Sequence, residues 1–248
     1  MDRPIVRPHL LDFQTPGRRD YWVALEHDSI WGDHLIPLTV FVGPNAEPGR
    51  GLLVTGSNHG NEYEGPAIIR HTMRDIAIED VIGRIVLVPI LNVAAFRAGT
   101  RDSSLDDRVN LNRAFVDGAG KSPLGGITHR IAAFVRQYLW GEVHAVIDLH
   151  AGGQVARFAA CTSFHPLEDP ARHAEVEATA RWFGTPLVVV YQNETPGLLP
   201  SEAERLGKVT IGREVGGGGA SSVTVVGLGR LGVRACAMER GMDFCGLC

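Results

Sequence analysis

The 248-residue sequence predicts an α/β fold, a mostly parallel mixed sheet flanked by helices. Three observations carry the prediction. Continuous Val, Ile and Leu runs read as strands buried on both faces. The stretches between them carry apolar residues at helical spacing. Hydrophobic residues make up 44% and charged residues 21%, which suits a chain long enough to build a sizeable core.

The elements follow in chain order. The runs LTVFVG (38–43) and RGLLVTG (50–56) read as strands. GPAIIRHTMRDIAIED (65–80) has helical spacing, and RIVLVPIL (84–91) returns to a strand. THRIAAFVRQYLW (128–140) reads as a helix, HAVIDLH (144–150) as a strand and DPARHAEVEATARWFG (169–184) as a helix. PLVVVYQ (186–192) and KVTIGREVG (208–216) read as strands. Strands alternating with helices imply parallel pairing. The stretch 97–126 has no clear period and is rich in Gly, Asp, Ser and Arg, as functional loops are. No repeat or linker divides the chain, so a single domain over 1–248 is expected.

Several function classes are excluded. The net charge is −4, with no clustered positive charge, so no nucleic-acid partner is indicated. Runs such as RIVLVPILNVAAF are too short to cross a bilayer, so no membrane partner is indicated either. The opening MDRPIVRPHLLDF carries proline and acidic residues where a secretory signal is apolar, and a cytoplasmic location is expected. Cys161, Cys236, Cys245 and Cys248 are then expected to be reduced thiols. The terminal CxxC lacks a second ligand pair and a following helix, so neither a zinc site nor a redox motif is expected from it. VVGLGRLG (225–232) contains GxGxxG, but a dinucleotide site needs a helix, a further strand and an acid about 20 residues on. Too little chain follows, and the stretch is expected in a terminal helix ending near Gly241.

The chemistry concentrates where strands end. LLVTGSNHGNEYEG (52–65) leaves an apolar strand and places His59 and Glu62 on a glycine-rich turn. Alone, the pair also fits an ordinary loop with an acid at a helix start. AVIDLH runs into His150 and then AGG, again at the carboxyl edge of a strand, where open α/β sheets build ligand sites. His59, Glu62 and His150 together make a two-histidine, one-carboxylate set of the kind that holds catalytic zinc. Asp148, two residues earlier, either orients His150 or makes a structural hydrogen bond. Glu214, in KVTIGREVGGGG, follows another strand-like run and is a candidate general base. The four glycines after it cost conformational entropy and suit backbone passing close to a ligand or to another segment. The loop AGTRDSSLDDRVNLNRAF supplies Arg101, Asn112 and Arg113, while Arg108 reads as solvated.

Four motifs in this order, GSNHGNEYEG, GTR…NLNRAF, DLHAGG and REVGGGG, resemble the succinylglutamate desuccinylase/aspartoacylase family of zinc-carboxypeptidase-like enzymes. DSIWGDHLIPLTVF, NEYEGP and FRAGTR are similar to a branch that deacetylates Nα-acetyl-2,4-diaminobutyrate in ectoine catabolism. The resemblance runs from about Ser29 to the end. It implies a zinc-carboxypeptidase-type fold and one Zn2+ per chain held by His59, Glu62 and His150. It further implies Glu214 as the general base, Arg101 as the oxyanion support, and Asn112 and Arg113 as the holders of a substrate carboxylate. Two departures stand out. Val116 replaces a usual proline, and the chain ends at Cys248, about where a β-rich C-terminal domain begins in the family.

The expected activity is therefore zinc-dependent hydrolysis of the amide of a small N-acyl amino acid. Aspartoacylase or succinylglutamate desuccinylase activity, carboxypeptidase action on short peptides, and a metal-binding protein without catalysis stand as alternatives. A guanidinium withdrawn from water at Arg113 needs an anion, so the substrate is expected to carry a free α-carboxylate. Glu194 is the candidate acid for a substrate ammonium. A homo-oligomer is compatible with the sequence.

Overall fold

The computed structural model describes residues 3–27, 32–47, 50–103, 106–116, 125–192 and 195–238. Among them, nine strands form one mixed sheet: β1 (Ile5–Val6), β2 (Gly17–Glu26), β3 (Asp33–Val42), β4 (Gly51–Gly56), β5 (Arg84–Val88), β6 (Ala145–His150), β7 (Arg157–Phe164), β8 (Leu187–Val190) and β9 (Val209–Gly217). Their order is β1-β2-β3-β5-β4-β6-β9-β7-β8. The centre, β5-β4-β6-β9, is parallel. β2 and β3 join one side antiparallel, and β7 joins β9 antiparallel on the other.

Six helices cover the sheet: α1 (Glu64–Asp75), α2 (Val93–Ala98), α3 (Ile127–Phe134), α4 (Pro170–Trp182), α5 (Leu199–Arg205) and α6 (Val223–Met238). Alternation along the strands divides the core in two. Leu53, Val86 and Val146 face α3 and α5, with Ile131, Phe134, Trp140, Leu199 and Ala203 packed against them. Leu52, Val54, Ile147 and Ile211 face α1, α4 and α6, where Ile68, Val176 and Val233 meet them. Strands so enclosed need apolar residues on both faces, which is why their sequence is continuously apolar.

The predicted α/β class and parallel centre hold. The differences are local. β2 and β7 carry exposed or half-exposed residues over part of their length, and in β2 the apolar run Tyr21–Leu25 covers only half of the strand. α2 and α5 are short, at 6 and 7 residues, and give little period to read. The helix expected over 128–140 is α-helical only to Phe134, then runs through a π-turn over Val135–Leu139. VVGLGRLG lies inside α6, as expected. Its Gly229 and Gly232 let the helix press against Ile68, Arg213 and Phe183. Cys161 and Cys236 are buried and not joined in a disulfide, while Cys245 and Cys248 lie outside the described residues. No helix among the described residues is long and apolar enough to cross a membrane.

Candidate metal centre and active-site cavity

Residues on one face of the sheet, at its carboxyl edge, build the site. Along β6, Ile147 and Leu149 face one core, so Asp148 and His150 face the other. Along β9, Ile211 and Val215 fall in that first core, which turns Gly212 and Glu214 to the side of His150. His150 and Glu214 are register partners between β6 and β9. β4 ends at Gly56, and the turn beyond it carries His59 and Glu62 just before α1.

That turn is not the flexible hinge its glycine suggests. The one left-handed residue between β4 and α1 is Ser57, with φ of 52°. The segment after β5 holds the turn: Leu91 N–H donates to Gly56 O, and Asn92 N–H donates to Ser57 O. Gly60 is needed for close approach. A Cβ there would lie 2.0 Å from the carbonyl carbon of Ala95 in α2. The glycines after Glu214 behave similarly, as anticipated. Gly216 to Gly219 all have positive φ, and a Cβ on Gly217 would meet Ala156 O at 2.2 Å. The backbone N–H of Gly217 donates to Glu64 at 2.6 Å.

His59, Glu62 and His150 offer donor atoms that all lie within 4.8 Å of one another, and all three are buried. His59 Nδ1 is 2.8 Å from Glu62 Oε1, and His150 Nδ1 is 3.1 Å from Glu62 Oε2. The outward nitrogens also have partners. His150 Nε2 lies 2.7 Å from Asp148 Oδ2, and His59 Nε2 lies 3.1 Å from Asn110 Oδ1. Asp148, fully buried, also accepts from Thr55 Oγ1 at 2.6 Å and Asn58 Nδ2 at 3.2 Å. Histidines oriented from behind by a carboxylate or an amide oxygen are typical of metal ligands. The donor chemistry therefore fits a divalent cation that takes N and O ligands.

The charges agree. Burial alone pushes the His150 imidazole down, but Asp148 and Glu62 outweigh it and hold the ring well above its ordinary value. Burial pushes Glu62 up, but the charge of His150 and the bonds from both histidines reverse this and hold the carboxyl far below the usual range. His59 is lowered, chiefly by burial. The two carboxylates thus favour a positive charge at His150, the same sign that a cation would bring.

A cavity of about 300 Å³ opens over these groups. Glu214, Arg101, Asn112 and Arg113 line it with the three candidate ligands. Burial pushes the Glu214 carboxyl up to about 7, with Glu62 and Asp148 adding to the shift and His150 opposing it. Its Oε2 is buried without a hydrogen-bond partner among the described residues. Arg101 is half-exposed and donates to Glu62 Oε1 at 3.1 Å. Asn112 is buried, and its Oδ1 accepts from Leu199 N–H at 2.8 Å, tying the loop to the start of α5. Arg113 is exposed at the rim and donates to Asn112 O at 2.6 Å. The expectation of a desolvated Arg113 is thus corrected: any carboxylate preference rests on its position over the cavity. Glu194 lies outside the described residues.

Two features escaped the sequence. Asn110 was passed over in favour of Asn112 and Arg113, although it lies in the same NLNR motif. Its side chain caps the 3-10 turn Leu111–Arg113 and meets His59. His165 and Glu204 also line the cavity. A surface group of His27, His34 and Asp106 offers metal-ligating atoms equally close together, but it is partly exposed and outside the cavity.

Comparison with known proteins adds the following. The model of the succinylglutamate desuccinylase/aspartoacylase catalytic domain matches residues 48–238. An N-alpha-acetyl-L-2,4-diaminobutyric acid deacetylase of Halomonas elongata is 32% identical over 97% of this chain, which spans 67% of that relative. A succinylglutamate desuccinylase structure from a Silicibacter species superposes with TM-score 0.84 at 32% identity, covering 94% of this chain and 70% of the other. The product-bound structure of the ectoine utilization protein EutE from Ruegeria pomeroyi gives TM-score 0.85 at 35% identity, with coverage of 94% and 70%.

Proposed function

This chain belongs to the succinylglutamate desuccinylase/aspartoacylase family, and on that premise we propose that it is a zinc-dependent deacylase. It hydrolyses the amide of a small N-acyl amino acid, with Nα-acetyl-2,4-diaminobutyrate the favoured substrate. The single observation that carries the reading is the convergence of His59, Glu62 and His150 beside Glu214 in one cavity.

His59, Glu62 and His150 would hold the cation, with Asp148 and Asn110 fixing the two rings from behind. When bound, zinc supplies Lewis acidity to the scissile carbonyl and to the attacking water. Glu214 takes the proton of that water on a carboxylate oxygen and delivers it to the leaving amide nitrogen. A carboxyl pushed up to about 7 suits both halves of that task, since it accepts and releases a proton near neutral pH. Arg101, which lines the cavity beside Glu62, supports the developing oxyanion, and its charge matters most where negative charge grows. Asn112 and Arg113, on the loop at the rim, take the substrate's α-carboxylate.

The test is metal analysis of the purified protein with a hydrolysis screen over acetylated, succinylated and formylated amino acids, with short peptides for comparison. One equivalent of zinc and turnover of an acetylated amino acid are expected. Turnover of peptides alone would replace the reading with a carboxypeptidase. Bound zinc without turnover of any member would leave a metal-binding protein.

A further inference from the structure

The cavity does not stop at the metal centre. β7 lies antiparallel to β9, with Ser163 opposite Gly212 and Cys161 opposite Glu214. Two strand residues advance about 6.6 Å. Ser163 therefore sits one such step below the Glu214 row on the same face, and His165 lies a further two residues along the chain. Gly212 keeps this passage open: a Cβ there would stand 2.8 Å from Ser163 Oγ. At the lower end His165 Nδ1 meets Glu204 Oε2 at 2.8 Å. Both residues line the cavity, yet Glu204 is 4% exposed and His165 6%. Tyr191 closes over them, its ring 5.8 Å from that of His165. The guanidinium of Arg172 reaches the backbone oxygen of Glu204 at 3.2 Å.

A carboxylate withdrawn from water is costly unless positive charge or strong donors meet it. The cavity lining also carries Arg101 and Arg113, together with Glu62 and Glu214 at the candidate metal centre. Glu204 adds a buried carboxylate to this lining on α5, held by His165 and separate from the three candidate ligands. A substrate side chain ending in a carboxylate would meet Glu204 as a like charge. One ending in an ammonium would give it a charge-assisted hydrogen bond.

We propose that Glu204, held by His165, is the specificity-determining acid that receives the side-chain ammonium of an Nα-acyl diamino acid. The assignment rests on the deacylase reading above and decides within it, favouring a diamino acid over an acidic amino acid such as aspartate or glutamate. It also gives the acid sought at Glu194 a different address, on α5.

The experiment compares kcat/KM for Nα-acetyl-2,4-diaminobutyrate, neutral Nα-acetyl-2-aminobutyrate and anionic N-acetylaspartate in the metal-loaded enzyme. The wild type is expected to favour the diaminobutyrate derivative over the neutral one about thirty-fold or more. Glu204→Gln is expected to bring that ratio to within about threefold, and Glu204→Asp to restore part of it. An unchanged ratio in Glu204→Gln, or a wild-type preference for N-acetylaspartate, overturns the assignment. Calorimetric binding of 2,4-diaminobutyrate against 2-aminobutyrate by the wild-type protein needs neither turnover nor a folded variant. Tighter binding of the diamino acid is expected, and equal binding overturns the proposal. If no N-acyl amino acid is hydrolysed, the deacylase reading fails, while this binding comparison still judges the subsite by itself.

Discussion

Glu214 stands opposite His150 in the register of two parallel strands, so backbone hydrogen bonds hold the candidate base beside a candidate metal ligand. Neither depends on a mobile loop. A site on strand ends keeps its spacing to within the tolerance that catalysis demands.

That pairing separates two functions by mutation. Glu214→Gln keeps the shape of the side chain and removes its basicity. Zinc content should stay near one equivalent while kcat falls by roughly 10²–10⁴-fold. His59→Ala should lose the metal itself. Loss of zinc from Glu214→Gln in elemental analysis would show that Glu214 is a ligand and not the base.

Glu214 also makes a pH prediction for the metal-free protein. Its carboxyl is raised from 4.5 to about 7 in the fold. A raised value means that the folded state binds its proton more tightly than the unfolded state does. The stability this group lends is therefore fully present below pH 4.5 and is lost as pH rises through about 7. Metal-free wild type should match metal-free Glu214→Gln at pH 4 and melt below it at pH 8. Equal melting temperatures at both pH values would mean that the carboxyl is not raised.

Metal uptake should release a proton. His150 is held above its ordinary value of 6.5 in the metal-free fold by Asp148 and Glu62, against the effect of burial. That pairing stabilises the metal-free protein below pH 6.5 and fades as pH rises through the raised value. Zinc must displace this proton, so its affinity should fall as pH falls. Calorimetry at pH 7 in buffers of different ionisation enthalpy reads the release directly. Asp148→Asn should weaken zinc binding by about 10–100-fold and reduce the proton released. An unchanged proton count in the variant would remove Asp148 from this role.

The two arginines should fail differently. Arg113→Ala should mainly raise KM, by about thirty-fold if one charged hydrogen bond worth about 2 kcal/mol is lost. Arg101→Ala should mainly lower kcat, by roughly 10²–10³-fold. Because Arg101 also contacts Glu62, zinc content must be measured beside the rates. A carboxamide in place of the substrate carboxylate should copy the Arg113 effect. Equal hydrolysis of acid and carboxamide would dismiss the carboxylate clamp.

Gly60→Ala tests why the turn carries a glycine. A Cβ would overlap the Ala95 backbone, which has no side-chain torsion with which to yield. A loss of about 1–3 kcal/mol in stability and weaker zinc binding are expected, since His59 is the preceding residue. A variant with wild-type melting temperature and metal content would show that α2 can yield.

The sequence by itself determined the alternation of buried strands and helices and the points where polar residues interrupt it. HxxE after VTG, DLH before AGG and the glutamate before four glycines are legible because each follows an apolar run at once. Burial along one element is a local property, and its period is written in neighbouring residues. The tertiary structure decided which elements meet. Asn110 reaches His59 across 51 positions, Glu204 reaches His165 across 39, and Gly60 is required by a helix that begins at Val93. Such pairs depend on strand order and register, and β7 lies antiparallel beside β9 although α4, β8 and α5 separate the two in the chain. No spacing within a single element encodes that path, so the cavity wall that carries His165 and Glu204 appears only once the strands are assembled.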